Sequence, residues 1–288
     1  GFAALANATV SSIERVDFNS VASQTAGVVA ALSQFTSGTG FAPSLELVGG
    51  SGQDMLAILE FAAGDYTMPT FAKTNWTTDT SYRALSDFVF LIAGGSGDFT
   101  LRATDGHNGI EGLQGNSGND TLLGGSSRDL LIATAGNDQL LAGGGDDFLA
   151  AGNATNFGID PGLTFQTSVF DGGSGNDIMS LSGEMAFMGA VTSIEAIRLL
   201  PWGPTGMPTQ EMPTTITMDQ SIAAQFGPSV TFEGVGTFVL AMEAVNYSAA
   251  GVQFAPGADI DFRIIGTDGN DMIVGSAIDD ISSGGDSG

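Results

Sequence analysis

Between Gly106 and Ala150 the apolar and polar positions recur every nine residues without a slip. The stretch reads GHNGIEGLQ, GNSGNDTLL, GGSSRDLLI, ATAGNDQLL and AGGGDDFLA. The sixth position holds Glu111, Asp120, Asp129, Asp138 and Asp147, and the eighth holds Leu113, Leu122, Leu131, Leu140 and Leu149. A fixed period with one acid column and one leucine column is the signature of a repeat architecture. The first six positions are rich in glycine, which supplies the positive φ angles of a tight turn. The last three predict a very short strand whose central leucine points inward. A turn reverses the chain, so two units complete one coil of eighteen residues. The strands then stack as two parallel ladders.

That stacking distributes the acids. Residues eighteen apart fall one rung apart, at about 4.8 Å. One edge receives Glu111, Asp129 and Asp147, and the other receives Asp120 and Asp138. Two bare carboxylates about 5 Å apart repel by roughly 3 kcal/mol at an effective dielectric of about 20. A cation between them removes that cost. Calcium takes oxygen ligands at about 2.4 Å and suits an ion midway between rungs, whereas magnesium needs shorter bonds and a stricter octahedron. The spacing predicts calcium between Glu111 and Asp129, between Asp129 and Asp147, and between Asp120 and Asp138, with turn carbonyls completing each shell.

The pattern GGxGxDxUx resembles the calcium-binding nonapeptide repeat of RTX proteins, secreted bacterial proteins that fold as β-rolls. GGSGNDIMS at Gly172–Ser180 and GTDGNDMIV at Gly266–Val274 carry the motif nearly letter for letter. The departures are Glu111 for Asp, Ser127 for the fourth glycine, and Ala133 and Ala142 for the first. The resemblance implies calcium as cofactor and adds Asp177, Asp271 and Asp280 to the expected ligands. Asp54, in the unit GGSGQDMLA, is either a ligand or part of a plain turn. Phe99 stands where the unit beginning at Gly94 should carry its acid, so no ion is expected there. The resemblance further implies export by a type I route without an N-terminal signal peptide. The blocks of repeat plus strand around Gly172–Leu199 are similar to those of RTX-type S-layer proteins and large adhesins.

Outside the repeat the pattern is less regular. Ser12–Val16 and Ser193–Ile197 read as two copies of one alternating strand, each followed by a repeat unit. Val21, Val28, Leu32 and Phe35 share one helical face and predict a helix over 21–35. Further short helices are expected at 81–88 and 219–226, the latter capped by Asp219 and ended by Gly227. Asp87–Ala93 reads as a buried strand, and 230–239, 245–254 and 260–265 read as strands of a second solenoid segment. Pro201, Pro204, Pro208 and Pro213 mark a long loop carrying Trp202, Met207 and Met212, which either packs back on the solenoid or contacts a neighbouring subunit. The expected organisation is an irregular β-solenoid with a helical insertion over 1–105 and a calcium β-roll over 106–156. A second solenoid segment with the proline-rich loop follows over 157–265, and a further roll opens at 266–288. Gly1 as first residue and a repeat interrupted at Gly288 point to a piece of a longer chain.

Composition sharpens this picture. Thirty-two acids against seven bases give a net charge of −25. Charge alone will not attract such a chain to nucleic acid or to an anionic bilayer, and it self-repels unless cations neutralise it. Lys73 is its one lysine. There are no cysteines, and no apolar run is long enough to span a membrane. His107, the one histidine, occupies a variable turn position, and neither HExxH nor GxSxG is present. Gly285–Gly288 spells GDSG but lies in register with the repeat. The fold expected is an all-β parallel β-roll or β-solenoid with calcium-binding nonapeptide repeats and a few short helices. The function expected is non-enzymatic: a calcium-stabilised, self-associating extracellular subunit of an S-layer, filament or lattice. The alternatives are an adhesin fragment or the carboxyl-terminal calcium domain of a secreted hydrolase.

Overall fold

The computed structural model describes residues 2–5, 11–21, 24–36, 40–76, 87–104, 110–152, 168–187, 189–200, 214–219, 221, 230–241, 246–250, 252–268, 270, 272–275 and 281–283. Every strand pairing among them is parallel. A 15-stranded sheet runs from Phe2–Ala4 to Ile281–Ser283, flanked by a 6-stranded sheet, a 3-stranded sheet and a 2-stranded sheet.

The chain winds with two cross-sections. In the first part each coil uses three sheets. Phe41–Val48 lies in the 3-stranded sheet, Gln53–Glu60 in the long sheet and Asp65–Thr67 in the 6-stranded sheet. Ala72–Thr74, Phe88–Ala93 and Thr100–Arg102 repeat the circuit one rung on. From Ile110 the 3-stranded sheet has ended and each coil has two strands. Glu111 then pairs with Asp129 and Leu113 with Leu131, and across the coil Leu122 pairs with Leu140, which is the eighteen-residue coil the period predicts.

Leu113, Leu122, Leu131, Leu140 and Leu149 are all fully buried along the axis. Their outward neighbours are less simple than alternation implies. Phe90, Ile110, Leu130, Ile132 and Phe148 are buried as well and form a second apolar cluster on the outer face of the long sheet. Continuous apolar runs such as Leu130–Ile132 mark a parallel strand buried on both faces. The Arg198 guanidinium lies 5.3 Å from the centre of the Phe148 ring at the edge of this cluster.

The helix expected over 21–35 is instead mainly the strand Thr25–Ala31, followed by a four-residue helix at Ser33–Thr36. Ala26, Val28, Ala30 and Leu32 contribute to the core at period two. The strand is sandwiched in register between Phe2–Ala4 and Gln53–Glu60, so pairing on both edges overrides the helical spacing. Phe88 opens a strand, and residues 81–86 lie outside the described residues. Asp219 ends the strand Thr214–Asp219 instead of capping a helix, and 222–226 also lie outside. So do Trp202, Met207 and Met212 of the proline-rich loop. The later strands appear as Thr231–Ala241, Asn246–Ser248, Gln253–Phe254 and Asp259–Ile265. Ser12 and Ser193 share a left-handed backbone, at φ 52° and 54°, although their strands join different sheets. Among the described residues no helix is long and apolar enough to cross a membrane.

Candidate metal centre

Strand register turns the acid column of the repeat into two ladders. On the long-sheet edge Glu111, Asp129 and Asp147 stand one rung apart, as spaced in the sequence. The register continues across longer connections to Asp177 and then Glu195. On the opposite edge Asp120 lies beside Asp138, and the column continues as Ser168. Asp54 is not isolated: the pairing of Met55 with Phe88 sets Asp87 next to it. Asp87 and Glu195 were missed by motif reading because neither sits in a glycine-rich nonapeptide, and only three-dimensional register reveals them. Asp271 and Asp280 lie outside the described residues.

The carboxylates are buried and do not simply face one another. Asp54, Glu111, Asp120, Asp129, Asp138, Asp147 and Asp177 are each at most 1% exposed. Each rung is laced to the next through backbone amides. The Asp120 N–H donates to Asp138 Oδ1 (2.9 Å), Asp129 to Asp147 Oδ1 (2.7 Å), Asp147 to Asp177 Oδ1 (2.8 Å) and Asp177 to Glu195 Oε2 (2.7 Å). Asp54 donates likewise to Asp87 Oδ1 (2.7 Å), and Phe99, in the place of an acid, to Asp120 Oδ1 (2.8 Å). At four units the second carboxylate oxygen closes the local turn by accepting the amide four residues earlier, from Gly50, Asn116, Gly125 or Thr134. The acid is therefore also the hydrogen-bond hub of its turn, and amides relieve part of the repulsion expected between bare carboxylates. Glu111, one methylene longer, instead accepts from the Thr104 amide (2.7 Å) and hydroxyl (2.9 Å). An outer rail runs through the fifth positions, where Asn119 donates to Asp98, Asn137 to Asn119, and Asn176 to Asp146.

Burial is the main electrostatic fact of the ladders. Desolvation pushes the Asp138 carboxyl up to about 7, Asp147 to about 8 and Asp177 to about 6, with amide donors pulling back and neighbouring acids adding to the rise. Asp120 is raised for the same leading reason.

The residues fit a hard cation. Asp54 Oδ1, Asp147 Oδ2 and Asp177 Oδ2 are buried oxygens that accept no hydrogen bond. Leaving a buried acceptor unsatisfied costs about 1–3 kcal/mol, more for a charged group. Glycine at the first position brings more oxygen close. A Cβ on Gly172 would fall 2.1 Å from the Ser193 carbonyl oxygen and 2.6 Å from Asp177 Oδ2. On Gly49 it would fall 2.3 Å from the Asn75 carbonyl and 3.2 Å from Asp54 Oδ2, and on Gly124 2.1 Å from the Ala142 carbonyl and 2.8 Å from Asp129 Oδ2. Carboxylate and carbonyl oxygens thus converge on the bare face of each glycine. Asn75 and Ser193 are left-handed, at φ 55° and 54°, an unfavourable state for a non-glycine residue that occurs here at both convergence points. Ala133 and Ala142 put buried methyl groups at the first positions of the Asp138 and Asp147 units. Among the described residues no three acidic, histidine or cysteine side chains converge on one point, so carbonyls must supply much of any shell. An all-oxygen set of carboxylates and carbonyls is the donor chemistry calcium takes.

Comparison with protein families decides what the ladders are. Residues 114–149 match the RTX calcium-binding nonapeptide repeat in four copies. The chain carries RTX repeats. The matched segment is the part of the roll containing Asp120, Asp129, Asp138 and Asp147. Calcium is thereby the cation these RTX ladders are built for, and repeats of this kind are typical of secreted proteins. Searches of curated proteins and of solved structures return no match to the chain.

Proposed function

We propose that the protein is a calcium-stabilised extracellular structural protein, a subunit of a cell-surface layer, filament or lattice, and not an enzyme. One observation carries the reading. The RTX roll is one section of a continuous parallel solenoid, with a long sheet passing unbroken from the flanking segment before the roll into the one after it. Calcium there holds a scaffold together. The buried acids follow the rung spacing and are bound by backbone amides, an arrangement that suits cementing rungs and leaves no acid–base pair set around a reacting atom. An acidic edge that closes only on a cation leaves the chain loose at the low calcium of a cytosol and lets it fold outside, so metal binding and folding are coupled. Self-association is part of the proposal.

Sedimentation velocity of the chain in chelator and then in millimolar calcium tests it. Compaction followed by growth into large ordered particles is the expected result. A compact monomer at every calcium concentration contradicts the lattice role and favours an adhesin fragment or the calcium domain of a secreted hydrolase.

A further inference from the structure

Lys73 is the one lysine of the chain, and its position is unusual. It sits in Ala72–Thr74, the last strand of the 3-stranded sheet, with exposed neighbours on either side. Register places it in one column with Leu47 and, a rung earlier, Val16. Leu47 is fully buried and Val16 packs against the core, so this column points inward. Lysine therefore stands where the column calls for a third apolar side chain, at the point where the three-sheet cross-section stops and the RTX roll begins. Its Nζ is shielded from solvent and makes no hydrogen bond. A buried ammonium with no partner in contact needs opposite charge nearby. The charges that act on it are those of Glu111 and Asp129, the first two members of the long-sheet ladder. Burial pulls its proton affinity down, and these two carboxylates, Glu111 first, push it back up.

We propose that Lys73 is a built-in counter-cation for the first rung of the ladder, so that the Glu111–Asp129 edge closes on an ammonium and does not load calcium. The inference deepens the calcium reading and rests on it in one respect: it assigns one of the predicted ion positions to the protein itself. An ammonium beside Glu111 and Asp129 repels a divalent ion from the same edge. Metal then loads the ladder from the next rung onward, and the junction between solenoid and roll is charge-balanced before any calcium arrives. That gives the roll a metal-independent end from which to zip up. Glu111 fits this arrangement, since Thr104 already holds its carboxylate without metal.

The test uses the whole chain and two readouts. Native mass spectrometry in calcium counts ions on the wild type and on Lys73→Met, which keeps the length and removes the charge. One additional ion on Lys73→Met is expected, and equal counts overturn the proposal. Lys73→Gln serves in the same count if Lys73→Met does not fold. The second readout needs no calcium. A double-mutant cycle of Lys73→Met with Glu111→Gln, followed by denaturant unfolding in chelator, should show coupling of about tenfold in the folding equilibrium. Additive effects in chelator overturn the proposal even if the wild type binds calcium elsewhere. A wild type that takes up no calcium while the cycle shows coupling overturns the calcium reading and keeps the Lys73 contact.

Discussion

The RTX roll and the solenoid segments on either side of it share one parallel sheet but are held together differently. Inside the roll the axis is a file of leucines, with a second cluster only on the outer face of one sheet. The flanks are filled by aromatic rings. Phe35 stacks on Phe41 at 4.6 Å and meets Phe71 edge-on at 5.6 Å. After the roll Phe232, Phe238, Phe254 and Phe262 form one interlocked group, with Phe238 and Phe262 stacked at 5.5 Å. The first flank also has three strands per coil where the roll has two. A two-strand coil encloses less apolar volume per rung and compensates along its edges, with carboxylate ladders that need cations. A flank with a wide aromatic core can do without them, which is why Phe99 can replace an acid at the start of one ladder and hydrophobic Val230 can follow Glu195 at the end of the other.

This contrast can be broken or sharpened by substitution. The largest effect is expected from truncating the two cores in parallel. Leu131→Ala in the roll and Leu56→Ala in the flank both remove a fully buried side chain, and each should cost about 4 kcal/mol in calcium by urea unfolding. In chelator the cost should persist for Leu56→Ala and shrink sharply for Leu131→Ala, because the loosened roll has little packing left to lose. Next is the Asp177 edge. Asp177→Ala takes the acceptor from the Asp147 amide and an oxygen from the metal, for about 3 kcal/mol in calcium by thermal unfolding. Gly172→Ala drives a methyl into the Ser193 carbonyl and should cost about 2 kcal/mol while weakening calcium binding in titration calorimetry.

A smaller effect separates the regions by pH. Asp138, Asp147 and Asp177 have folded-state values raised to about 7, 8 and 6 from an ordinary 3.8. Without metal the folded state therefore binds more protons than the unfolded state between pH 4 and 8. The stability these groups contribute is fully present below the unfolded value and is lost as pH rises through the folded values. The melting temperature in chelator should accordingly be higher at pH 5 than at pH 8. Calcium should flatten or reverse that order, since it competes with the same protons. The smallest effect is expected at the surface of the flank. Arg102→Ala removes an exposed ion pair with Asp65, and calorimetry should resolve no change in melting temperature with or without calcium.

The roll was legible in the sequence because one period writes both its core and its edges. Glu111, Asp120, Asp129, Asp138 and Asp147 lie in the rungs their spacing implies. What the spacing could not carry was the second use of each carboxylate as an acceptor of backbone amides, which follows from the turn closing back on its own acid. Asp87 and Glu195 were hidden because they join the ladders through register alone. Thr25–Ala31 read as a helix because small and β-branched residues satisfy either period, and neighbouring strands settle the choice. Lys73 carried no motif at all: its place becomes meaningful only when the sheet that contains it ends beside the ladder.

Hydrogen exchange read by mass spectrometry, in chelator and in millimolar calcium, tests the central claim most directly. The account predicts that amides of residues 115–152 exchange rapidly without calcium and gain strong protection with it. Residues 41–60 and 231–265 should stay protected in both conditions. A roll as protected in chelator as in calcium would contradict the assignment of its acid ladders as the calcium-dependent part of the fold.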